Sequence, residues 1–182
     1  MISNIHERSK TIQLSKTGSF LHTKKNFRIQ FGSIKENEYI TVLFPPSEFK
    51  TITVAIPDIV GKALERFDSV VKDKAMLLEK DKSVEWKPLV VQDKEEGKLS
   101  LKLSKETKCF CWKEGEFEES GKPMLKEGDL EALERNSRVI LKTELGYIWK
   151  YNQRRGVTLR VTQLVIVEGN EEKEEEEEDE WL

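Results

Sequence analysis

Cys109 and Cys111 are the residues whose type and spacing most invite chemistry, since two thiolates one residue apart can begin a metal site. They fall in a run, Lys108 to Trp112, that reads as a strand, so both side chains point to one face. Zinc asks for four ligands, with two to four residues between cysteines. The chain's two histidines, His6 and His22, lie in a polar N-terminal stretch. The pair therefore reads as two buried, inert thiols, with no metal and no cofactor. No Gly-rich phosphate loop, Gly-x-Ser-x-Gly or His-Glu-x-x-His occurs. Without a histidine in the body the common general base is missing, and no carboxylate stands in an apolar setting that would raise its pKa. The expectation is a protein that is not an enzyme and has no catalytic residue.

Binding chemistry is better represented. Alternation along Lys98 to Leu103 puts Leu99, Leu101 and Leu103 on one face and Lys98, Ser100 and Lys102 on the other. Val139 and Leu141 oppose Arg138 and Lys142, and Val157, Leu159 and Val161 oppose Thr158, Arg160 and Thr162. Phe110 and Trp112 share a strand face opposite the cysteines; Tyr147, Trp149 and Tyr151 share another, and Arg154-Arg155 follow at once. Some of these rings belong to a core. Cations beside stacking aromatics are also what single-stranded nucleic acid requires, because phosphates need positive charge and unpaired bases offer π-faces.

The charge is split. The 182 residues carry a formal −3, but residues 168–182 hold ten acids and one base, which leaves thirty bases against twenty-four acids before them. A body of +6 thus precedes a tail of −9, and a like-charge run of this kind is expected to be disordered. It finishes Glu180-Trp181-Leu182, a large apolar pair after the acids. Composition is 37% hydrophobic and 36% charged, and no apolar run approaches the roughly 20 residues of a spanning helix. The first ten residues do not read as a secretory signal, and two close cysteines make no disulfide framework. Together these point to an intracellular protein with no membrane partner.

The positioning elements follow from periodicity. Residues 1–25 read as a loose polar arm. Strands are expected at 27–31, 38–44 and 49–56, with Pro45-Pro46-Ser47 as a turn. From Pro57 to about Lys82, apolar residues at Val60, Ala63, Leu64, Phe67, Val70, Val71, Ala75 and Leu78 mark an amphipathic helix. It is expected to cap a sheet or to mediate a homodimer. Further strands are expected at 84–91, 98–103, 108–112, 137–143, 147–151 and 156–167, with a long link over 113–135. The fold class is mainly β: an OB-fold-like antiparallel barrel over 26–167, one inserted helix and an acidic tail over 168–182.

The chain resembles the viral and phage single-stranded DNA-binding proteins with an OB-fold and an acidic C-terminal tail. The resemblance is carried by Gly156-Val157-Thr158-Leu159-Arg160-Val161-Thr162-Gln163-Leu164-Val165-Ile166-Val167, the preceding Trp149-Lys150-Tyr151, the Lys-rich run 98–108 and the tail. It implies a protein that coats exposed strands in replication, recombination or repair. Its groove would comprise Lys102, Lys108, Phe110, Trp112, Lys142, Tyr147, Trp149, Arg154, Arg155 and Arg160. The tail, with Glu176, Glu177, Glu178, Asp179, Glu180, Trp181 and Leu182, would compete with DNA and recruit replication enzymes. Such a protein would work in the cytoplasm, or in a host replication compartment if viral. Two alternatives stay open: an acidic-tailed protein-interaction or chaperone module, and an RNA-binding OB protein, since stacking ignores the 2′-hydroxyl.

Overall fold

The computed structural model describes residues 11–14, 20–23, 28–46, 50–93 and 96–169; for 11–14, 20–23, Arg28, Lys74, Asp93 and Tyr147 the description covers the backbone alone. The acidic tail, including Glu176 to Leu182, lies outside the described residues.

Twelve strands and one helix are described: β1 Thr11–Leu14, β2 Phe20–Thr23, β3 Arg28–Phe31, β4 Ile40–Phe44, β5 Thr51–Ile56, α1 Asp58–Leu77, β6 Glu85–Trp86, β7 Val90–Asp93, β8 Glu96–Lys102, β9 Lys108–Phe117, β10 Pro123–Glu127, β11 Arg138–Tyr151 and β12 Arg154–Glu168. Five strands close a barrel in the order β4-β5-β8-β12-β11, with β11 returning to β4. All neighbours in that ring are antiparallel except β8 and β12, which meet in parallel at Lys102 and Arg160. Numbered within the barrel this order is 1-2-3-5-4, so the OB-fold-like, mainly β class holds, as a mixed barrel.

The expected alternation is realised. On β5 and β8 every second residue is buried, and Ile52, Val54, Leu99 and Leu101 are fully enclosed. Each such side chain is worth roughly 1.5–3 kcal/mol of burial. Val60, Ala63, Leu64, Phe67 and Val71 of α1 join the same core as the barrel interior, so the helix covers the barrel's apolar filling. It stops at Leu77, earlier than expected, and Val70 and Leu78 are exposed rather than packed. Two contacts anchor the segment that follows. Trp86 Nε1 donates to the Asp68 carboxylate at 3.1 Å, and Leu89 N donates to it at 3.2 Å.

Three differences from the expected elements stand out. The stretches 137–143 and 147–151 are one strand, because Gly146 does not reverse the chain; it lets the backbone approach Thr158, whose carbonyl oxygen would lie 3.0 Å from any Cβ there. The reversal between β11 and β12 comes at Asn152-Gln153. Both have positive φ, 48° and 60°, as the two-residue hairpin twist demands. The link 113–135 contains a hairpin, since β9 runs on to Phe117 and β10 returns beside it. The expected arm contributes two strands, β1 and β2, that extend the sheet beyond β3.

Candidate nucleic-acid interface

A bulge divides the face of β12. Lys142 lies opposite Gln163, but the next residue, Thr143, lies opposite Val161, leaving Thr162 as the extra residue with its hydroxyl on the Lys142 carbonyl at 3.0 Å. Before the bulge Val157, Leu159 and Val161 point inward and Thr158 and Arg160 outward; after it Leu164 and Ile166 point inward while Val165 and Val167 join a second cluster outside. The outer surface is therefore polar along one half of β12 and apolar along the other.

On the polar half, register brings cations into rows. Lys142, Gln163 and Lys108 lie side by side on β11, β12 and β9. Lys102 on β8 lies beside Arg160, with Thr51 of β5 beyond it. Lys102, Lys108 and Lys142 are exposed. Arg160 is bonded to the Glu144 carboxylate, which offsets much of its charge toward a ligand.

Trp149 lies on Gly156, its cross-strand partner; a Cβ at Gly156 would fall 2.6 Å from the indole ring. The ring borders a groove of about 220 Å³ lined by Thr51, Lys87, Ser100, Lys102 and Thr158 among others. An adjoining recess of about 370 Å³ is lined by Trp149, Lys87, Tyr151, Asn152 and Arg154. Lys87 enters from outside the barrel, because Glu85 and Lys87 donate backbone hydrogen bonds to Gln153 and Arg155 at 2.9 and 2.7 Å and lay β6 along the start of β12. Trp149 and Lys87 thus border both recesses, with Lys102 in one and Arg154 in the other, on the sheet surface that OB barrels use for oligonucleotides and beside the loop between the fourth and fifth barrel strands.

Three expected groove residues lie elsewhere. Trp112 is 1% exposed, its indole N–H bonded to the Glu116 carbonyl at 2.9 Å and its ring edge-on to Phe117 at 5.7 Å. It is the centre of the second cluster with Ile140, Val165 and Val167, against which the half-buried Phe110 packs. The outward face of β9 is covered by Tyr39 and the β9–β10 hairpin, so the strand pattern found the right face but not its cover. Arg155 bonds the Glu79 carboxylate at 2.9 Å and the Ala75 carbonyl at 3.3 Å, with its side chain 16% exposed. It fastens the end of α1 to β12. The hydrogen bond from Lys150, the backbone N–H of Asp81 and the charges of Lys150 and Arg155 hold the Glu79 carboxyl below its usual range. The Tyr147 side chain lies outside the described residues.

Cys109 and Cys111 pack against the barrel core, and burial pushes the Cys109 thiol up to about 11. Among the described residues no cluster of three metal-ligating side chains forms, and no helix is long and apolar enough to cross a membrane.

Lys87 and Phe44 were missed in the sequence. Lys87 follows a two-residue strand too short to show a period. Phe44, 55% exposed, lies beside Thr53 on the outer face with the Lys98 ammonium 5.8 Å from its ring centre. Its exposure could have been suspected from Pro45-Pro46 immediately after it.

No protein-family model and no curated protein sequence matches the chain. Solved structures do match its fold, two of them as follows. A C-terminally truncated single-stranded DNA-binding protein from bacteriophage Enc34 matches with a TM-score of 0.51 and 9% sequence identity, covering 88% of this chain and 96% of that one. The Enc34 protein in complex with single-stranded DNA matches with a TM-score of 0.50 and 9% identity, over 86% and 94% of the two chains. At that identity it is the fold that is shared: this chain has the barrel architecture of a phage single-stranded DNA-binding protein.

Proposed function

We propose that this protein is a non-catalytic single-stranded DNA-binding protein that coats exposed strands during replication, recombination or repair, inside a cell. The observation that carries the reading is the pair of adjoining recesses at Trp149 on the outer face of the barrel, one lined by Lys87 and Lys102 and the other by Lys87 and Arg154. The ring offers a base a stacking surface, and the three cations offer phosphates their counter-charge. The shared fold with the Enc34 protein, one structure of which holds single-stranded DNA, supports the same assignment. Lys108, Lys142 and Arg160 extend the positive surface along β12; Phe110, Trp112 and Arg155 serve the fold instead.

The acidic segment acts as a tethered competitor. Thirteen residues follow Gly169, and at about 3.3 Å each they reach well past the roughly 20 Å of β12 back to the Lys108–Lys142 row. Tethering keeps their local concentration high, and DNA displaces them because it adds stacking and counterion release. Once displaced, the acids with Trp181 and Leu182 recruit replication enzymes.

Tryptophan fluorescence titration with oligo-dT, a matched duplex and oligo-U across a salt series tests the reading. Trp112 is enclosed and the partly buried Trp86 is held on Asp68, so with Trp181 replaced by Phe the quenching that is lost on Trp149→Phe is that of Trp149 itself. Saturable quenching by dT in preference to duplex, with a log–log salt slope of about −0.7 per neutralised phosphate, is expected. Tail removal should tighten binding at low salt. No quenching with or without the tail would overturn the reading in favour of a protein-interaction module, and tighter binding of oligo-U would redirect it to RNA.

A further inference from the structure

Phe44 lies across the sheet from Trp149, and two polar surfaces lead away from the groove in different directions. One runs along β12 past Arg160 to Lys142 and Lys108. The other crosses the strands through Thr158, Ser100 and Thr53 to Phe44, since Thr53 is opposite both Ser100 and Phe44. The first path is interrupted: the Glu144 carboxylate stands between Lys142 and Arg160 on the same face, bonded to Arg160. A phosphate chain following it meets a negative charge midway. The second carries only hydroxyls, with Thr53 and Ser100 hydrogen-bonded to each other at 3.2 Å, and is flanked by Lys102 on one side and Lys98 on the other.

The chemistry at the far end suits a base. Phe44 is an aromatic ring more than half exposed opposite Thr53, and Lys98 reaches across Ala55 to stand over it. A ring and lysines also occur together at Trp149, whose groove Lys87 and Lys102 line. Resting on the function proposed above, we infer that Phe44 is a second stacking platform and that the bound strand crosses β12, β8 and β5 to reach it, rather than running along β12.

This path has a length. Trp149 belongs to β11 but its ring lies over Gly156 of β12, and three inter-strand spacings of about 4.8 Å separate β12 from β4, or about 14 Å. At about 3.4 Å per stacked nucleotide the two platforms lie roughly four nucleotides apart. An oligonucleotide shorter than this span engages Trp149 alone; a longer one engages both.

Binding of the full-length chain to fluorescein-labelled dT4, dT6, dT8 and dT12, read by anisotropy at fixed salt, separates the possibilities. In the wild type, affinity should step up between dT4 and dT8 by more than charge alone adds. Phe44→Ala should remove that step and weaken dT12 binding between about five-fold and a hundred-fold, the worth of one stacked base, while Phe44→Tyr retains it. The exposed position makes loss of folding an unneeded explanation, and an unchanged melting temperature verifies that. Equal length dependence in wild type and Phe44→Ala, with Trp149→Ala still damaging, would overturn the platform while leaving the proposed function standing. Loss of the step in Lys108→Ala/Lys142→Ala with Phe44→Ala silent would place the strand along β12 instead. Absence of any oligonucleotide binding by the wild type would overturn both readings.

Discussion

Gly156→Ala is the smallest change that should disarm the groove. The new methyl would lie 2.6, 2.8 and 3.0 Å from three atoms of the Trp149 indole, where ordinary contacts begin at 3.4 Å. The ring must therefore move outward by about 1 Å or tilt. Gly156 does not have a positive φ, so the backbone accepts alanine without strain. Replacing glycine within a strand is worth about 0.5–1 kcal/mol in favour of alanine, and overpacking costs about 1–3 kcal/mol. The net effect on stability is a loss of at most about 2.5 kcal/mol, or about 5–10 °C of melting temperature for a chain of this size. The effect on binding is larger in proportion, because a tilted indole no longer lies parallel to a base. Stacking is worth about 1–3 kcal/mol per base, and each 1.4 kcal/mol is ten-fold, so an affinity loss approaching that of Trp149→Ala is expected. Anisotropy with dT12, alongside a thermal melt, measures both quantities. Wild-type affinity in a folded Gly156→Ala variant would refute the idea that the Gly156 cradle presents the ring.

Other substitutions separate fold from function. Trp112→Ala empties the second cluster and should cost about 3–5 kcal/mol, lowering the melting temperature by about 10 °C; a folded, equally stable variant with weakened DNA binding would return Trp112 to the groove. Glu144→Gln frees Arg160 and should tighten dT12 binding while steepening the salt slope by up to about 0.7; unchanged affinity and slope would mean that Arg160 meets no phosphate. Asp68 is buried, which raises its carboxyl pKa against the opposing bonds from Leu89 and Trp86. The folded state therefore holds its proton more tightly than the unfolded chain, and this site's contribution to stability falls as pH rises from about 4 through the raised value. Asp68→Asn keeps an acceptor for Trp86 and Leu89 and should flatten that part of the melting temperature–pH curve. Asp68→Ala should destabilise by about 1–3 kcal/mol, since it orphans both donors; equal curves for wild type and Asn would show that Asp68 does not titrate in this window.

The sheet faces were legible because burial alternates with period two along a strand. Leu99, Leu101, Val139, Leu141, Val157, Leu159 and Val161 are all inward as their spacing requires, and α1 was legible by the same logic at period 3.6. Boundaries were less so. The long β11 looked like two strands because a glycine signals a turn locally, while here it answers a carbonyl on another strand.

For the site, the sequence alone determined that Lys102 and Arg160 each lie on the polar face of their own strand and that the charge is divided between a basic body and an acidic end. Those are properties of residue type and alternation, and they hold whatever the neighbours are. Which aromatic is available to a ligand was decided by tertiary structure alone. Trp112 and Trp149 have the same local pattern, yet Tyr39 and the β9–β10 hairpin close over one while the other rests on a glycine beside an open groove. Lys87 and Phe44 reach the same face from a post-helix segment and from the first barrel strand, joined to it only by backbone pairing. Period assigns a side chain to a face; only the pairing of distant strands determines what else lies on that face and what covers it.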